Sequence, residues 1–271
     1  MRLIILKDYN SVSTRSAAYV ASQIRKANPS SENPFILGLP TGSTPLGMYR
    51  ELIRFHREGI VSFKNVITFN MDEYVGIPEN HPQRYHNYMS KNFFEHIDIP
   101  TENVNILDGN AQDIELECAA YERKIMQYGG VNLFVGGIGA NGHIAFNEPG
   151  SSPESRTRVV TLSENTRAAN SRFFVNDITK VPETALTVGI GTILDSGSVM
   201  LIVTGNNKAH ALRMGVENGV NDIWPISHLK LHPNGLIVCS EETTGELKSE
   251  TVSYYKEIEK SNTAPDNLYK D

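Results

Sequence analysis

Two adjacent carboxylates, Asp72 and Glu73, follow an apolar run in this sequence. The segment reads "VITFNMDEYVG" from Val66 to Gly76, so a candidate buried strand ends just before the pair. Carboxyl groups at a hydrophobic edge can have pKa values that are spread apart, and one of them can then act as a general base. The alternative is a solvated loop or a helix cap, and position alone leaves both interpretations open.

A second set of reactive residue types lies in the glycine-rich segment "IGANGHIAFNEPGSS", from Ile138 to Ser152. It contains Asn141, His143 and Glu148. A histidine followed five residues later by a carboxylate can form an oriented acid–base pair. The same spacing is weak evidence for a metal site, which needs a further ligand, so we expect no metal here.

The segment "PTGSTP", from Pro40 to Pro45, combines hydroxyl groups, a glycine and the start of a candidate helix. Its four central residues are Thr41, Gly42, Ser43 and Thr44. Backbone N–H groups before a helix favour an anion such as phosphate, although a plain strand-to-helix turn would look the same. Arg172 and Lys208 are either ordinary surface cations or the charges that a dianionic phosphate needs.

These segments must be positioned by the elements that precede them. Eight short apolar runs are predicted as strands, at residues 2–6, 35–39, 66–69, 104–107, 131–137, 185–190, 199–205 and 235–240. Six amphipathic stretches are predicted as helices, at residues 11–27, 45–58, 83–94, 112–128, 206–218 and 246–261. The strand candidates are apolar on both parities, which is typical of a parallel sheet covered on both faces.

The alternation of strands and helices predicts an α/β fold. We expect a single doubly wound domain over residues 1–271, with a mostly parallel central sheet covered by helices on both faces. Residues 149–184 have less strand signal and are predicted as a surface lid or interface excursion. In such sheets ligands bind beyond the carboxyl ends of the strands, so the post-strand segments should meet at one edge.

Composition limits the function classes. The chain has 271 residues, with 25 Lys and Arg against 31 Asp and Glu and a net charge of −6, so we expect no nucleic-acid partner. The start, "MRLIILKDYN", has an apolar run too short for a signal peptide or a membrane span, and we expect no membrane contact. Cys118 and Cys239 lie far apart in apolar segments and are predicted to be buried free thiols, which favours the cytoplasm.

The remaining chemistry is narrow, because no cofactor fingerprint or nucleophile motif occurs and we expect no cofactor. A phosphate-sized anion site with carboxylate and imidazole groups fits proton abstraction beside a carbonyl. It also fits hydrolysis of a phosphorylated lactone. The residues themselves leave these two reactions open.

Several motifs resemble the glucosamine-6-phosphate deaminase family. They are "LGLPTGSTP", "FNMDEYVG", "GHIAFNEPGSS", "SRTR" and "NSRFF", in the family's order, with similarity from "MRLI" to "VSYYKEI". The resemblance implies conversion of glucosamine 6-phosphate and water to fructose 6-phosphate and ammonia, without metal or organic cofactor. It also implies roles for single residues.

By resemblance, Asp72 is the general base that takes the C2 proton of the opened sugar. We expect it to be ionised, with a pKa near the ordinary value of about 3.9. Glu73 is expected to orient the loop. His143 matches the residue that opens the sugar ring, with Glu148 as its partner, and Asn141 stands where an aspartate often flanks the histidine. The phosphate contacts match the 41–44 loop, Arg172 and Lys208.

The resemblance also implies a site for the effector N-acetylglucosamine 6-phosphate in a homo-oligomer, a hexamer in the allosteric members. Matching positions are Ser151, Ser152, Arg158, Thr161 and Tyr254. Val160 departs from the pattern, because allosteric members carry a lysine there. We therefore expect a weakened effector response.

Two other functions remain as alternatives. A 6-phosphogluconolactonase is a hydrolase of similar fold, but it would not need "FNMDEYVG" together with "GHIAFNEP". A non-catalytic sugar-phosphate sensor would need a DNA-binding segment, and we expect none before residue 1.

Overall fold

The structure, a computed structural model, describes residues 1–263, so residues 264–271 of the predicted domain lie outside it. The strands are β1 (Arg2–Leu6), β2 (Phe35–Leu39), β3 (Val66–Asn70), β4 (Asp72–Tyr74), β5 (Val104–Asn105), β6 (Leu133–Gly137), β7 (Arg158–Thr161), β8 (Thr184–Thr187), β9 (Val199–Val203) and β10 (Gly235–Ser240). The α-helices are α1 (Tyr9–Ala27), α2 (Leu46–Arg57), α3 (Tyr85–Asn92), α4 (Ile114–Gln127), α5 (Glu164–Asn170), α6 (Ile190–Leu194), α7 (Ala209–Glu217), α8 (Ser249–Ile258) and α9 (Lys260–Thr263).

Seven strands form a central sheet in the order β1-β10-β9-β6-β2-β3-β5, and every neighbouring pair is parallel. Successive side chains of a strand point to opposite faces, so Leu3 joins one hydrophobic cluster and Ile4 joins the other. The Ile4 cluster includes residues of α1, α2 and α3, whereas the Leu3 cluster includes residues of α4, α6 and α7. The predicted α/β fold with helices on both faces is confirmed.

A second, antiparallel sheet has the order β4-β8-β7. The prediction of 185–190 as a strand of the parallel sheet was wrong, because β8 ends at Thr187 and Ile190 begins α6. Ala185 packs in an aromatic cluster and Leu186 packs in the Leu3 cluster. β8 is therefore covered on both faces without belonging to the parallel sheet. Its apolar run therefore looked like that of a parallel strand.

The segment 149–184 is more regular than the sequence suggests. It contains β7, α5 and two short 3-10 helices, Ser171–Phe173 and Ile178–Lys180. Its strand β7 pairs with β8, and β8 pairs with β4. Because β4 follows the central strand β3 in the chain, the segment is connected to the central sheet. Both cysteines are free and buried, as predicted. Within residues 1–263, no helix is long and apolar enough to cross a membrane.

Candidate active site

Four neighbouring strands of the central sheet, β9, β6, β2 and β3, end at the same edge. The segments after them line a cavity of about 500 Å³. Nine predicted site residues line it: Thr41, Gly42, Ser43, Thr44, Asp72, Asn141, His143, Arg172 and Lys208. The expectation that the post-strand segments meet at one edge is confirmed for this part of the chain.

Asp72 lies at the junction of the two sheets. Met71 donates its backbone N–H to the carbonyl of Leu39 at 3.0 Å, and Val188 donates its N–H to the carbonyl of Met71 at 2.8 Å. These bonds direct the chain from β3 into β4. Asp72 is the first residue of β4 and pairs with Thr187 of β8. The interpretation of this stretch as a solvated loop was therefore wrong, because Asp72 is only 7% exposed.

Burial changes the ionisation of Asp72. Removal from water and, to a smaller extent, the neighbouring charge of Glu73 together raise the pKa of its carboxyl to about 8. The Oδ1 atom of Asp72 is buried and accepts no hydrogen bond from the described residues. The expectation of an ordinary pKa and full ionisation was wrong, since sequence position does not reveal the depth of burial. A carboxyl with a pKa near 8 is matched to proton transfer near neutral pH.

His143 is held over the backbone of its own loop. A Cβ built on Gly139 would lie 2.2 Å from the His143 ring, so only glycine at 139 leaves space for the imidazole. Burial lowers the pKa of His143 to about 4, against the opposing effect of Glu148. The imidazole is therefore neutral at physiological pH. Its Nδ1 lies 3.9 Å from Oε2 of Glu148, at the limit of an ion pair.

Glu148 lies behind His143 and is fixed by polar neighbours. Its Oε2 accepts a hydrogen bond from Nδ2 of Asn141 at 2.7 Å, and its Oε1 accepts one from the hydroxyl of Ser163 at 3.0 Å. Burial acts to raise the pKa of Glu148. The hydroxyl of Thr166, His143, the amide of Asn141 and the backbone N–H of Ser163 together lower it overall. Asn141 thus acts as a neutral donor to the carboxylate, and Glu148 stays ionised beside the imidazole.

The 41–44 loop is held by the buried Tyr49 and the partly buried Tyr88. Tyr49 donates its hydroxyl to the carbonyl of Pro40 at 2.5 Å, and Tyr88 donates its hydroxyl to the carbonyl of Gly42 at 2.6 Å. Gly42 has a φ of +95°, a conformation that glycine adopts without strain. The loop is thereby fixed at the cavity, immediately before α2.

Two cations lie at this end of the cavity. Arg172 donates Nη2 to the hydroxyl oxygen of Ser43 at 3.3 Å, and its guanidinium stacks on Phe173. Burial, together with the charge of Arg172, lowers the pKa of Lys208 to about 8. The two positive charges therefore repel each other in the free protein. A dianion bound between them would relieve that repulsion.

Several lining residues were not found from the sequence. They are Tyr85, Asn165, Thr166, Asn170, Asn207 and Trp224. Three of them, Asn165, Thr166 and Asn170, belong to α5 inside the excursion 149–184. The prediction of a lid in that segment was the only indication that it could contact the site. Within the described residues, no group of three or more His, Cys, Asp or Glu side chains is arranged to hold a metal ion.

The predicted effector residues fall in two places. Arg158 donates to Oδ1 of Asn147 at 2.9 Å and to the hydroxyl of Ser151 at 3.2 Å, so these residues form one cluster. Ser152 is exposed beside Ser151, and Val160 and Thr161 follow Arg158 on β7. Tyr254 lies elsewhere, exposed on α8, with its ring against Tyr255.

Comparison with known proteins adds independent information. The family model described as glucosamine-6-phosphate isomerases/6-phosphogluconolactonase matches residues 7–238. Glucosamine-6-phosphate deaminase of Parabacteroides distasonis is 58% identical over 270 residues, which cover 100% of each chain. A solved structure described as a monomeric glucosamine-6-phosphate deaminase aligns with a TM-score of 0.86 at 42% identity, covering 90% of this chain and 98% of the other. The 6-phosphogluconolactonase of Trypanosoma cruzi shares the fold, with a TM-score of 0.72 at 19% identity and coverage of 91% and 97%.

Proposed function

The chain belongs to the family of glucosamine-6-phosphate isomerases and 6-phosphogluconolactonases, and we propose that it acts as a glucosamine-6-phosphate deaminase. The observation that carries this proposal is the single cavity that combines the buried Asp72 carboxyl, the neutral His143 and the cations Arg172 and Lys208. A phosphorylated amino sugar offers a group to each of them. Glucosamine 6-phosphate and water give fructose 6-phosphate and ammonia.

The substrate is anchored by its phosphate. The 41–44 loop supplies hydroxyl and backbone N–H groups, and Arg172 and Lys208 supply the charge. This anchor directs the sugar ring toward Asp72 and His143. His143 takes the proton from O1 and returns it to O5 as the C1–O5 bond breaks, while Glu148 stabilises the imidazolium that exists in between.

Asp72 then carries out the isomerisation. Its carboxylate takes the proton from C2 of the open-chain sugar and returns it to C1. The amino nitrogen loses one proton and O1 gains one, so the aldehyde becomes a hydroxymethyl group at C1 and an imine forms at C2. Water then adds to the imine at C2, both of its protons pass to the nitrogen, ammonia leaves, and the ketone of fructose 6-phosphate remains. The raised pKa of Asp72, about 8, makes its carboxylate a stronger base than an ordinary aspartate.

The decisive experiment measures fructose 6-phosphate and ammonia formed from glucosamine 6-phosphate by the wild-type protein and by Asp72→Asn. The variant keeps the shape of the side chain but removes the base. We expect normal folding and a loss of kcat of roughly 10²–10⁴-fold. Near-full kcat in Asp72→Asn would remove Asp72 from the proposed role.

A parallel assay with 6-phosphogluconolactone tests the alternative reaction. Lactone hydrolysis without ammonia release from glucosamine 6-phosphate would identify the chain as a lactonase and overturn the proposal. Binding of glucosamine 6-phosphate without turnover of either compound would indicate a sugar-phosphate sensor instead.

Regulation and assembly are further parts of the proposal. We propose N-acetylglucosamine 6-phosphate as a weak effector, supported by the cluster of Arg158 and Ser151. A homo-oligomer, a hexamer by family resemblance, is supported by large apolar side chains on the surface; these are Leu116, Met126, Val159 and Ile223. One solved relative is described as monomeric. We also propose a cytoplasmic location, which the two free buried thiols support.

A further inference from the structure

Glu73, the neighbour of Asp72, is a fully buried carboxylate that the proposed mechanism does not use. Its oxygens accept hydrogen bonds from the backbone N–H of Tyr74 at 2.9 Å and of Tyr85 at 2.8 Å. Tyr85 is the first residue of α3, and the residue before it, Arg84, provides no side-chain cap. Glu73 therefore caps α3 from β4 and ties these two elements together beside Asp72.

One side chain links this buried carboxylate to solvent. Nδ1 of His86 lies 3.2 Å from Oε2 of Glu73. The side chain of His86 is 36% exposed, whereas that of Glu73 is 0% exposed. The imidazole of His86 therefore reaches water while it contacts a carboxylate that has no access to water.

We propose that His86 is a positioning residue for the reaction: its imidazole stabilises the buried carboxylate of Glu73, and through Glu73 it controls how readily Asp72 becomes the ionised base. The inference rests on the proposed deaminase function. A donor or a positive charge at His86 offsets part of the negative charge of Glu73. Without it, that charge acts undiminished on Asp72, whose pKa Glu73 already raises. Loss of His86 should therefore make Asp72 harder to ionise.

The other groups near Asp72 do not change their ionisation in the relevant range or are common to all variants. Four phenols feel its charge, and burial raises the pKa of each above its ordinary alkaline value; they are Tyr49, Tyr74, Tyr85 and Tyr121. On the cavity side, His143, Arg172 and Lys208 line the same space. His143 titrates at about 4, below this range. Lys208 titrates near 8 but is untouched by changes at residue 86.

The test is the pH dependence of kcat/KM for glucosamine 6-phosphate between about pH 6 and 9, which reports ionisations of the free enzyme. The proteins are the wild type, His86→Ala and His86→Asn. We expect the midpoint of the acid limb to move to higher pH by roughly half a unit to one unit in His86→Ala. His86→Asn should lie in between, since its amide can donate a hydrogen bond but cannot become positively charged.

A matched control is His96→Asn. His96 is exposed, and its Nε2 lies 3.0 Å from the carbonyl oxygen of Lys91, away from Glu73. The acid-limb midpoint of His96→Asn should equal that of the wild type. Ionisations of the substrate affect every variant equally. A purely structural role for His86 would lower kcat/KM by one factor at all pH values. An unmoved midpoint in His86→Ala overturns the inference.

A second background isolates the path through Glu73. In Glu73→Gln the negative charge is absent, so the acid limb should move to lower pH, and adding His86→Ala should produce no further shift. A full shift in the double variant would show that His86 acts without Glu73 and would overturn the inference. If Glu73→Gln does not fold, the His86 series still decides. A wild-type protein that releases no ammonia refutes the proposed function instead.

Discussion

At the scale of single residues, the two cations of the cavity repel each other, and a bound anion would offset that repulsion. Lys208 is partly desolvated and lies in the field of Arg172, which together lower its pKa to about 8. Arg172 is held toward the 41–44 loop by its contact with Ser43. Both charges are therefore in place before the proposed phosphate would bind, and such pre-organisation raises affinity.

We predict that Lys208→Ala mainly weakens binding of the sugar phosphate. A hydrogen bond to a charged group contributes roughly 1.5–3 kcal/mol, so KM should rise by about 10-fold to 100-fold while kcat changes less. Steady-state kinetics with glucosamine 6-phosphate and with glucosamine measure this. Glucosamine lacks the phosphate, so its already low kcat/KM should be similar in both proteins.

Lys180→Ala is the control for loss of a lysine, because Lys180 is an exposed residue of the excursion and pairs with Asp177. Its KM should not change. A KM in Lys208→Ala that equals the wild-type value would show that Lys208 does not contact the phosphate.

The positions of these residues could be predicted from the sequence, whereas their ionisation could not. Asp72, His143 and Lys208 each follow a strand, and parallel strands bring their carboxyl ends to one edge. The pKa values of Asp72 and His143 depend on burial by segments that are distant in sequence, such as β8 and α5. No local pattern records that depth. Tyr85 was likewise hidden inside a predicted helix.

At the scale of elements, the small antiparallel sheet connects the active site to the predicted effector cluster. Asp72 begins β4, which pairs with β8, and β8 pairs in turn with β7. Thr187 of β8 lies opposite both Asp72 and Arg158. A ligand that moves Arg158 would therefore act on a strand that pairs directly with Asp72, the proposed base.

The bounds of most long elements could be predicted, but this small sheet could not. β4 has three residues and β7 has four, too few to show a period. Their sequences, "DEY" and "RVVT", carry charged or hydroxyl side chains that serve the site or the surface. β8 was found as a strand but assigned to the wrong sheet, because burial on both faces looks the same in parallel and antiparallel strands.

Residue 160 should decide the strength of the proposed effector response. Val160 and Arg158 lie two apart on β7, so they point to the same face, and Arg158 contacts Ser151. The native protein should respond little to N-acetylglucosamine 6-phosphate, and Val160→Lys should gain activation. One charged contact contributes roughly 1.5–3 kcal/mol, which equals a typical allosteric coupling energy. Initial rates against glucosamine 6-phosphate, with and without effector, measure the response.

Val220→Lys is the matched control, because Val220 is an exposed valine outside β7 and outside the apolar side chains that support the proposed oligomer. It should add a positive charge without adding activation. Strong sigmoidal kinetics in the native protein, relieved by low effector concentrations, would contradict the prediction and would mean that another cation binds the effector phosphate.

At the scale of the whole molecule, the core shifts the pKa values of two ionisable groups away from their values in water. Both lie at the edge of the central sheet, with a hydrophobic cluster on each face behind them. Asp72 keeps its proton up to about pH 8, and His143 stays neutral down to about pH 4. Each state costs free energy relative to the unfolded chain over a different pH range, so the stability of the fold records both groups.

The sign for Asp72 follows from its raised pKa. Below about pH 4 both the folded and the unfolded chain hold this proton, and above that pH only the folded chain does, up to about pH 8. The contribution of the proton to stability is thus lost steadily as the pH rises through this window. His143 has the opposite sign. Because its pKa is lowered, the stability of the fold increases as the pH rises from about 4 to 6.5.

Asp72→Asn should therefore gain stability relative to the wild type as the pH rises. Between pH 6.5 and 8 His143 no longer titrates, and the difference in free energy of unfolding should grow by roughly 1.4 kcal/mol per pH unit, or about 2 kcal/mol in total. Urea unfolding at several pH values measures it. Asp177→Asn is the control, because hydrogen bonds from Thr179 lower the pKa of Asp177 and place its titration below the window, so its difference should not vary with pH. A difference between Asp72→Asn and wild type that stays constant from pH 6.5 to 8 would mean that Asp72 is already ionised in the folded protein, and the base would then have an ordinary proton affinity.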